Sequence, residues 1–332
     1  MRSSILTKTV LVSLGLMAVL AVVAIISLVV GTSYIDLKKI LFDGMGGAES
    51  RKTWTILVGY RLPRTLLAAL AGGGLASAGV IFQGVLRNPL ADPYLIGIAS
   101  GGALGAVTSI VFFGEAWVLG TSASAFLGSL AAVGLVYGLA TMKQDAGYTN
   151  TVILAGVIVA ALMNALILLI ISVSGSDEMQ RILFWLMGDL SLANYSKITM
   201  TAVFVSVGWV ALYMRASHLN LLLAGEEAAA NLGLNVPRTR TFFIITAALI
   251  TGAIVSVAGT IGFVGLVVPH AMRLLFGPDH RVLLPAALIG GAAFLAAADC
   301  VARVAAYPVE LPVGVITALT GAPFFLYLLV RK

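Results

Sequence analysis

Long apolar runs make up most of this sequence, and polar residues are confined to short stretches between them. The runs are continuous rather than alternating, which favours transmembrane helices over the strands of a barrel. A helix needs roughly 20 apolar residues to cross the ~30 Å hydrocarbon core of a bilayer. The runs that meet this length are 10–31, 65–86, 94–114, 116–142, 146–176, 241–268 and 311–330. The pattern therefore predicts an all-α fold, a polytopic membrane helical bundle.

Counting shorter runs as well, we expect about ten transmembrane helices in a single domain that covers residues 1–332. The eighth is the weakest, because it is short and carries Pro269, His270 and Arg273. Without it, nine spans would place the two termini on opposite sides of the membrane. We interpret the first run as a retained span, since it exceeds a typical signal-peptide core. The predicted spans are 10–31, 56–82, 94–113, 116–141, 148–173, 195–214, 240–261, 263–276, 282–304 and 311–330.

The charge of the chain fits a membrane protein better than a nucleic-acid-binding one. Charged residues are 10% of the sequence, and the net charge of +6 comes from lysines and arginines that flank the spans. Such residues meet anionic lipid headgroups. The positive-inside balance is close, but the basic residues at both tips favour cytoplasmic termini. We therefore predict a multi-pass protein of the inner (cytoplasmic) membrane.

Three segments between the spans are more polar than the rest. Residues 32–64 form a long outer segment, and 176–194 fit a short outer helix that lies on the surface or dips partway in. Residues 215–240 are the longest polar stretch on the cytoplasmic side. A faint echo links Ala78-Gly79 and Pro89 to Ala258-Gly259 and Pro269, at the same spacing. An inverted internal repeat and chance are both open explanations.

Few residues carry chemistry of their own. There is no Gly-x4-Gly-Lys-Ser/Thr motif, so the chain cannot bind ATP through a P-loop, and it has no nucleophile elbow or zinc-binding His-Glu pair. Inside the spans the main ionisable residue is Asp299, and Arg303 lies four residues on, where a local pair is favoured over a proton relay. We predict a transport protein, not an enzyme. A secondary carrier is the main alternative. An integral-membrane enzyme is a further alternative, disfavoured because the sequence has no catalytic cluster.

The stretch AGEEAAANLG, residues 224–233, breaks the apolar pattern with two adjacent glutamates. Glutamates early in a short helix suit its N-terminal dipole, and a glycine at its end suits a left-handed cap. An ordinary surface helix would also explain it. The order Glu-Ala-Ala-x3-Gly resembles the coupling element with which the permeases of ABC importers dock onto their ATPase. The residues implied in ATPase coupling are Gly225, Glu226, Glu227, Ala228, Ala229 and Gly233.

The resemblance extends over nearly the whole chain. The sequence is similar to the ten-span permeases that import iron–siderophore complexes, haem and cobalamin. The matching blocks are RLPRTLLAALAGGGLASAGVIFQG, NPLADPYLIGIASGGALGA, GEEAAANLG, GFVGLVVPHAMRL, DHRVLLP, ADCVAR and ELPVGVITALTGAPFFLYLL. The resemblance implies an iron–siderophore cargo first, with haem or cobalamin next.

The resemblance also implies partners and roles. Two copies of the chain would form the pore, and two ATP-binding subunits would bind ATP and Mg below it, with no cofactor on this chain. An extracytoplasmic substrate-binding protein would dock outside on Arg61, Arg64 and Arg303, although arginines that only snorkel to headgroups would look the same. Asn88, Leu90 and, more loosely, Thr149 match family positions at the cytoplasmic gate.

Overall fold

The computed structural model describes residues 2–32, 48–114, 120–142 and 148–330 of the chain. Within these residues the protein is built from helices, which confirms the predicted fold class. The first half contains α1 and a three-part second helix, followed by three further spans. Their bounds are α1 Arg2–Val29, α2 Ala48–Trp54, a π-helical turn Thr55–Arg61, α3 Leu62–Val85, a 3₁₀ turn Pro93–Ile96, α4 Ile98–Phe112, α5 Gly120–Met142 and α6 Tyr148–Ser172.

The second half begins with a short amphipathic helix and contains the polar stretch with the two glutamates. Its helices are α7 Ser176–Leu186, α8 Tyr195–Met214, α9 Ala216–Ala224, α10 Glu226–Asn231, α11 Val236–Ala258, α12 Val264–Phe276, α13 His280–Val304 and α14 Val313–Val330. Helix α7 is too short to cross a bilayer. It fits the predicted short helix of segment 176–194, although the helix ends at Leu186.

The described helices agree with the ten predicted spans. Seven are long and apolar enough to cross a membrane, and three shorter apolar helices, α4, α12 and α14, make up the number. The eighth predicted span is the 13-residue helix α12, which contains Pro269. It stays helical because it lies against α3 and α13, so its backbone is covered by protein.

The second span is longer than predicted. It is helical from Ser50 to Val85, which is 36 residues, whereas the apolar run suggests a beginning near residue 56. Charged side chains such as Arg51 and Lys52 end the apolar run without ending the helix. The outer segment 32–64 is therefore helical from residue 48 onward. Its residues 33–47 lie outside the described residues.

Glycine pairs allow the helices of the core to approach closely. A Cβ added to Gly72 in α3 would lie 2.1 Å from the carbonyl oxygen of Gly291 in α13, and the reverse distance is 2.3 Å. Gly101 in α4 and Gly128 in α5 form a second pair of the same kind, at 2.3 and 2.2 Å. Backbones in contact gain dispersion energy that lipid cannot offer to a lone helix. These crossings fix α3 on α13 and α4 on α5.

Segments of irregular backbone contact one another inside the bundle, at the point where α11 ends. Tyr94 Oη accepts a hydrogen bond from the Ile261 amide (2.7 Å) and donates one to the Ile261 carbonyl (2.8 Å). From the segment after α7, the Asp189 amide donates to the Ala258 carbonyl at 2.9 Å. Irregular backbone is tolerated at this depth only when protein satisfies its polar groups. These bonds do so for the break between α11 and α12.

The echo in the sequence falls at positions with different local structures, and the inverted repeat stays a prediction. Gly79 lies inside α3, with Pro89 in the loop after that helix. Gly259 instead ends α11 at φ +69°, and Pro269 lies inside α12. Because the two copies have different local structures, the structure gives this spacing no support as a repeat.

Candidate coupling and docking sites

The coupling loop, residues 215–240, contains the predicted short helix and the predicted glycine cap. Gly225 (φ +130°) separates α9 from α10, which begins at Glu226. At the other end Gly233 has φ +83°, and the Leu234 and Gly233 amides donate to the Ala229 and Ala230 carbonyls at 3.0 and 2.8 Å. This is a Schellman cap, in which a left-handed glycine closes the helix. The local structure predicted for AGEEAAANLG is confirmed.

The two glutamates of α10 have different surroundings. Glu226 forms a salt bridge with Arg240 of α11, and its Oε1 lies 4.0 Å from Arg87 Nη2. Glu227 is exposed, and no salt bridge to it is found among the described residues. Ala229 is fully buried, whereas Leu232 has 70% of its surface exposed. The helix is therefore attached to the bundle through Glu226 and Ala229, whereas Glu227 and Leu232, the residue that follows the helix, are exposed.

Further contacts attach the coupling loop to the rest of the bundle. Asn220 donates to Asp279 Oδ1 (2.8 Å) and accepts from the His280 amide (3.0 Å), where α13 begins. Arg87 donates to the Leu222 carbonyl at 2.6 Å. Hydrogen bonds from Arg281 and Asn220 lower the pKa of Asp279, so this carboxylate stays charged at neutral pH. The loop is thus joined to the ends of α3, α11 and α13.

The gate loop, residues 86–97, follows α3 and contains two of the predicted gate residues. Asn88 Oδ1 accepts the Leu90 amide at 2.9 Å, so this side chain stabilises its own turn. Leu90 is 53% exposed. Thr149 lies in the first turn of α6, and its side chain lies outside the described residues. Asn88 and Leu90 are joined by this hydrogen bond, no described contact joins either of them to Thr149, and the role of the three residues as a gate stays a prediction.

The outer arginine cluster consists of Arg61, Arg64, Arg303, Asp299 and Glu310. Arg64 Nε donates to the Asp299 carboxylate at 2.9 and 3.2 Å, and its Nη1 donates to Glu310 Oε2 at 2.5 Å. Arg303 pairs with Asp299 at 3.2 Å along α13, as predicted from their spacing. Asp299 is fully buried. One carboxylate therefore holds two arginines, one from α3 and one from α13.

Helix α1 supplies further partners to this cluster. Arg303 Nη2 donates to Ser27 Oγ at 2.6 Å and to the Ser27 carbonyl at 3.0 Å. Arg61 Nη1 donates to the Leu28 and Val29 carbonyls, at 2.8 and 2.6 Å, where α1 ends. Cations at a helix C-terminus are stabilised by its dipole. All three arginines are buried by contacts within the chain, which simple snorkelling does not require, and their role in docking stays a prediction.

The arginine cluster and the coupling loop lie at opposite ends of the same helices. Arg64 is in the first turn of α3, whose last residue is Val85, near Arg87. At 1.5 Å per residue these 21 steps span about 32 Å, close to the hydrocarbon thickness of a bilayer. Likewise α13 runs from His280, beside Asn220, to Asp299 and Arg303. The two candidate sites are therefore on opposite sides of the membrane-spanning bundle.

Several residues of these sites were not found from the sequence. Arg87, Arg240 and Glu310 were missed because their partners lie on other elements of the chain, and Leu232 was missed because its exposure depends on the fold. The predicted spans did indicate one of these residues, because they place Glu310 at the same end of the bundle as Arg64 and Arg303. In the described part of the chain, no group of three or more His, Cys, Asp or Glu residues could hold a metal ion.

Comparison with protein-family models identifies the family of the chain. The family model described as the FecCD transport family matches residues 19–331. The chain belongs to the FecCD transport family. It is the permease subunit of an ABC importer and an integral membrane protein, and ATP hydrolysis resides in a separate subunit of the complex. The secondary-carrier and membrane-enzyme alternatives are therefore wrong.

Individual relatives of this FecCD protein cover most of the chain. It is 47% identical over 279 residues to the cobalamin import system permease of Halobacterium salinarum, covering 84% of this chain and 74% of that protein. It is 40% identical to the hemin transport system permease of Yersinia pestis, covering 84% of each chain. Against the Fe(3+)-citrate import system permease of Bacillus subtilis the identity is 37%, covering 97% and 95%.

A solved structure also has the same fold as this FecCD chain. It is described as an inward-facing conformation of a metal-chelate type ABC transporter, and it superposes with a TM-score of 0.86. The sequences are 32% identical, and the match covers 96% of this chain and 99% of the other. The bundle architecture is therefore shared with that transporter over its whole length.

Proposed function

We propose that two copies of this chain form the pore of an importer for a large metal chelate. Two ATP-binding subunits drive the pore from the cytoplasm through the coupling loop, and an extracytoplasmic binding protein delivers the chelate to the outer arginine cluster. ATP and Mg bind to the ATPase subunits. The pore lies in the cytoplasmic membrane and alternates between outward-open and inward-open states.

The geometry of α10 carries this proposal. Its attached side is held by Glu226 and the buried Ala229, while Glu227 and Leu232 face outward. An exposed carboxylate and an exposed leucine, near the two ends of a helix held to α11 by the salt bridge of Glu226 with Arg240, suit a binding groove on a partner protein. A push on this helix would reach α3 through Arg87 and α13 through Asn220. A solvated surface helix with no partner does not require such attachment.

The positions of the termini support the proposed orientation. Helix α1 has Ser27 at the arginine cluster and runs about 40 Å back to Arg2. Lys8 accordingly lies beside Gly277, close to Asp279 and the coupling loop. Helix α14 begins at Val313, just after Glu310 of the arginine cluster, and runs from there toward the side of the coupling loop. The start of α1 and the end of α14 are then on the side of the coupling loop, which is cytoplasmic if that loop binds an ATPase.

The class of cargo follows from the relatives, but the particular chelate does not. The cobalamin permease of Klebsiella pneumoniae is 36% identical, whereas that of Halobacterium salinarum is 47% identical. The hemin and Fe(3+)-citrate permeases fall between these values, at 40% and 37%. Sequence identity therefore does not distinguish between cobalamin, haem and ferric citrate as the cargo. We propose a large metal chelate, with a ferric siderophore tested before haem and cobalamin.

Purification from native membranes tests the function. A tagged chain should bring down a P-loop ATPase, and native mass spectrometry should find two copies of each. Vesicles containing this complex and the binding protein should take up labelled ferric siderophore, haemin or cyanocobalamin only with ATP. A complex with one copy of the chain would contradict the dimer. Uptake on a proton gradient without the ATPase would contradict the coupling.

Sidedness can be tested on intact cells with single cysteines. Glu227→Cys should be protected from a membrane-impermeant maleimide until the cells are permeabilised. Tyr307→Cys, 70% exposed in the loop after α13, should react at once. The native Cys300 is buried and gives a low background. The opposite labelling pattern would contradict the orientation, and with it both proposed sites.

A further inference from the structure

The outer arginine cluster lines a cavity, and a carboxylate of the chain itself, that of Glu310, is part of the cavity wall. The cavity has a volume of about 380 Å³, and its walls include Arg61, Arg64, Arg303, Glu310 and Ser191. Three arginines and two carboxylates leave this cluster with one net positive charge. Cavities walled by guanidinium groups bind carboxylates, because the planar fork matches the two oxygens. The chemistry of the site is therefore that of an anion-binding pocket.

The two carboxylates of the cluster are not equivalent. The Asp299 side chain has no exposed surface and pairs with arginines of both α3 and α13. The Glu310 side chain is 36% exposed and touches the cluster mainly through one bond, from Arg64 Nη1 at 2.5 Å. The other carboxylate oxygen, Oε1, accepts a single long hydrogen bond from Thr32 Oγ1, at 3.5 Å. Asp299 is thus a structural counter-ion, whereas Glu310 can leave without exposing the core.

Glu310 also lies on a loop, whereas Arg64 lies on a helix. Glu310 belongs to the loop between α13 and α14. This loop is joined to α13 by the Leu311 amide, which donates to the Ala302 carbonyl at 3.0 Å, and by the Tyr307 amide, which donates to the Val304 carbonyl at 3.4 Å, and neither bond involves Glu310. Arg64, in contrast, is fixed on α3 by its bonds to Asp299. If the pair separates, Glu310 is therefore the partner that moves away.

We propose that Glu310 is an internal substitute for a carboxylate of the docking protein. It holds Arg64 while the outer face is empty, and it is displaced when an aspartate or glutamate of the binding protein enters the cavity. This inference rests on the proposed docking at the arginine cluster. Docking is then an exchange of one carboxylate for another at Arg64.

An exchange has consequences that simple docking lacks. Asp299 alone is shared between Arg64 and Arg303, so a second carboxylate at Arg64 at every stage spares the empty transporter the cost of an uncompensated buried charge. The incoming carboxylate must compete with Glu310, which keeps the complex weak enough to dissociate in each cycle. The buried Arg303 Nη1 has no hydrogen-bond partner in the described structure, and it is a donor that an entering carboxylate can satisfy.

The sign of one substitution tests the exchange. Glu310→Gln keeps the shape and removes the charge, so the competitor for Arg64 becomes weaker. Binding should be measured by biolayer interferometry on the permease–ATPase complex in lipid nanodiscs. The probe is the substrate-free binding protein that co-purifies with the complex. We expect the dissociation constant to fall about three- to tenfold, with a steeper dependence on salt between about 50 and 300 mM.

Matched variants separate the possible results. Glu178→Gln removes the same charge from the outer helix α7, away from the cavity, and should leave binding unchanged. Arg64→Gln should weaken binding, and Glu310→Gln should have no further effect in that background. Thermal unfolding of each variant excludes loss of the fold as the cause.

Two failures can be told apart. If Arg64→Gln weakens binding but Glu310→Gln leaves it unchanged or weaker, docking stands and the exchange is refuted. If Arg64→Gln and Arg64→Lys both bind normally, the arginine is not a docking residue, and the proposed docking fails together with the exchange. Equal tightening by Glu178→Gln and Glu310→Gln would assign the effect to overall charge and refute the exchange.

Discussion

Replacing Asp299 by asparagine tests whether one buried carboxylate holds the outer ends of α3 and α13 together. Asp299 is fully buried and accepts hydrogen bonds from Arg64 at 2.9 and 3.2 Å. It also pairs with Arg303 at 3.2 Å. Asparagine keeps the shape of the side chain but not its charge. Two buried guanidinium groups would then lose the counter-ion that they share.

The expected loss of stability follows from the burial of the pair. Removing one partner of a buried ion pair costs about 3–5 kcal/mol, because the remaining charge has no counter-ion. Glu310 still neutralises part of the charge on Arg64, so we expect a value near 3 kcal/mol. At about 2 °C per kcal/mol for a chain of this size, the unfolding midpoint should fall by roughly 6 °C.

The chain carries its own reporter for this measurement. Cys300 is the only cysteine in the sequence and is buried, so a fluorogenic maleimide reacts with it as the protein unfolds in detergent. Cys300 directly follows Asp299, so the substitution can change the reactivity of the thiol without unfolding the protein. Circular dichroism should therefore be recorded on the same samples as a second measure of unfolding. The matched control is Asp177→Asn, an exposed carboxylate on α7, which should shift the midpoint by less than about 1 °C.

A midpoint within about 2 °C of the unaltered protein, by both readouts, would refute the reasoning. The double variant Asp299→Asn/Arg303→Met gives a sharper test. It removes one guanidinium together with the carboxylate charge, and replacing buried ion pairs by apolar groups is often close to neutral. The double variant should therefore recover at least half of the loss. If it is no more stable than Asp299→Asn, uncompensated charge is not the cause.

Three further predictions concern the rest of the bundle. Glu227→Lys should release the ATPase in co-purification, whereas Glu226→Gln should leave it bound but lower transport-coupled ATP hydrolysis; equal effects would contradict the two roles. Gly72→Leu should abolish monodisperse protein in size-exclusion chromatography, because its side chain meets the Gly291 carbonyl, while Gly15→Leu, with no atom within 4 Å, should not. Burial raises the pKa of Asp92 to about 6, so the folded protein favours the protonated carboxyl. Stability followed by circular dichroism should fall by up to about 2 kcal/mol between about pH 4 and 6, and Asp92→Asn should remove this slope.

The spans were predictable because a bilayer imposes one length on each of them. An apolar run near 20 residues is a physical requirement, and it located helices such as α11 and α13 within a few residues. The beginning of the second span was not predictable in the same way. Its helix extends outward to Ser50 past the end of the apolar run, where hydropathy no longer reports on secondary structure.

The candidate sites were only partly predictable. The glycine cap at Gly233 and the pair of Asp299 with Arg303 follow from spacing within one helix, and both were found. The contact of Arg64 with Asp299 joins residues 235 positions apart, and periodicity carries no information about such a contact. The same holds for Glu226, whose salt bridge with Arg240 depends on how α10 folds back onto α11.

The pairing of α3 with α13 connects the two candidate sites mechanically. Each helix has one end at the arginine cluster and the other at the coupling loop, through Arg87 and His280. Between these ends the backbones touch at Gly72 and Gly291, which leaves no side chain to yield when one helix moves. Packed helices of this kind move as a unit rather than bending. A displacement of α10 should therefore tilt both helices together, and the tilt would change the opening of the cavity that holds Glu310, about 30 Å away.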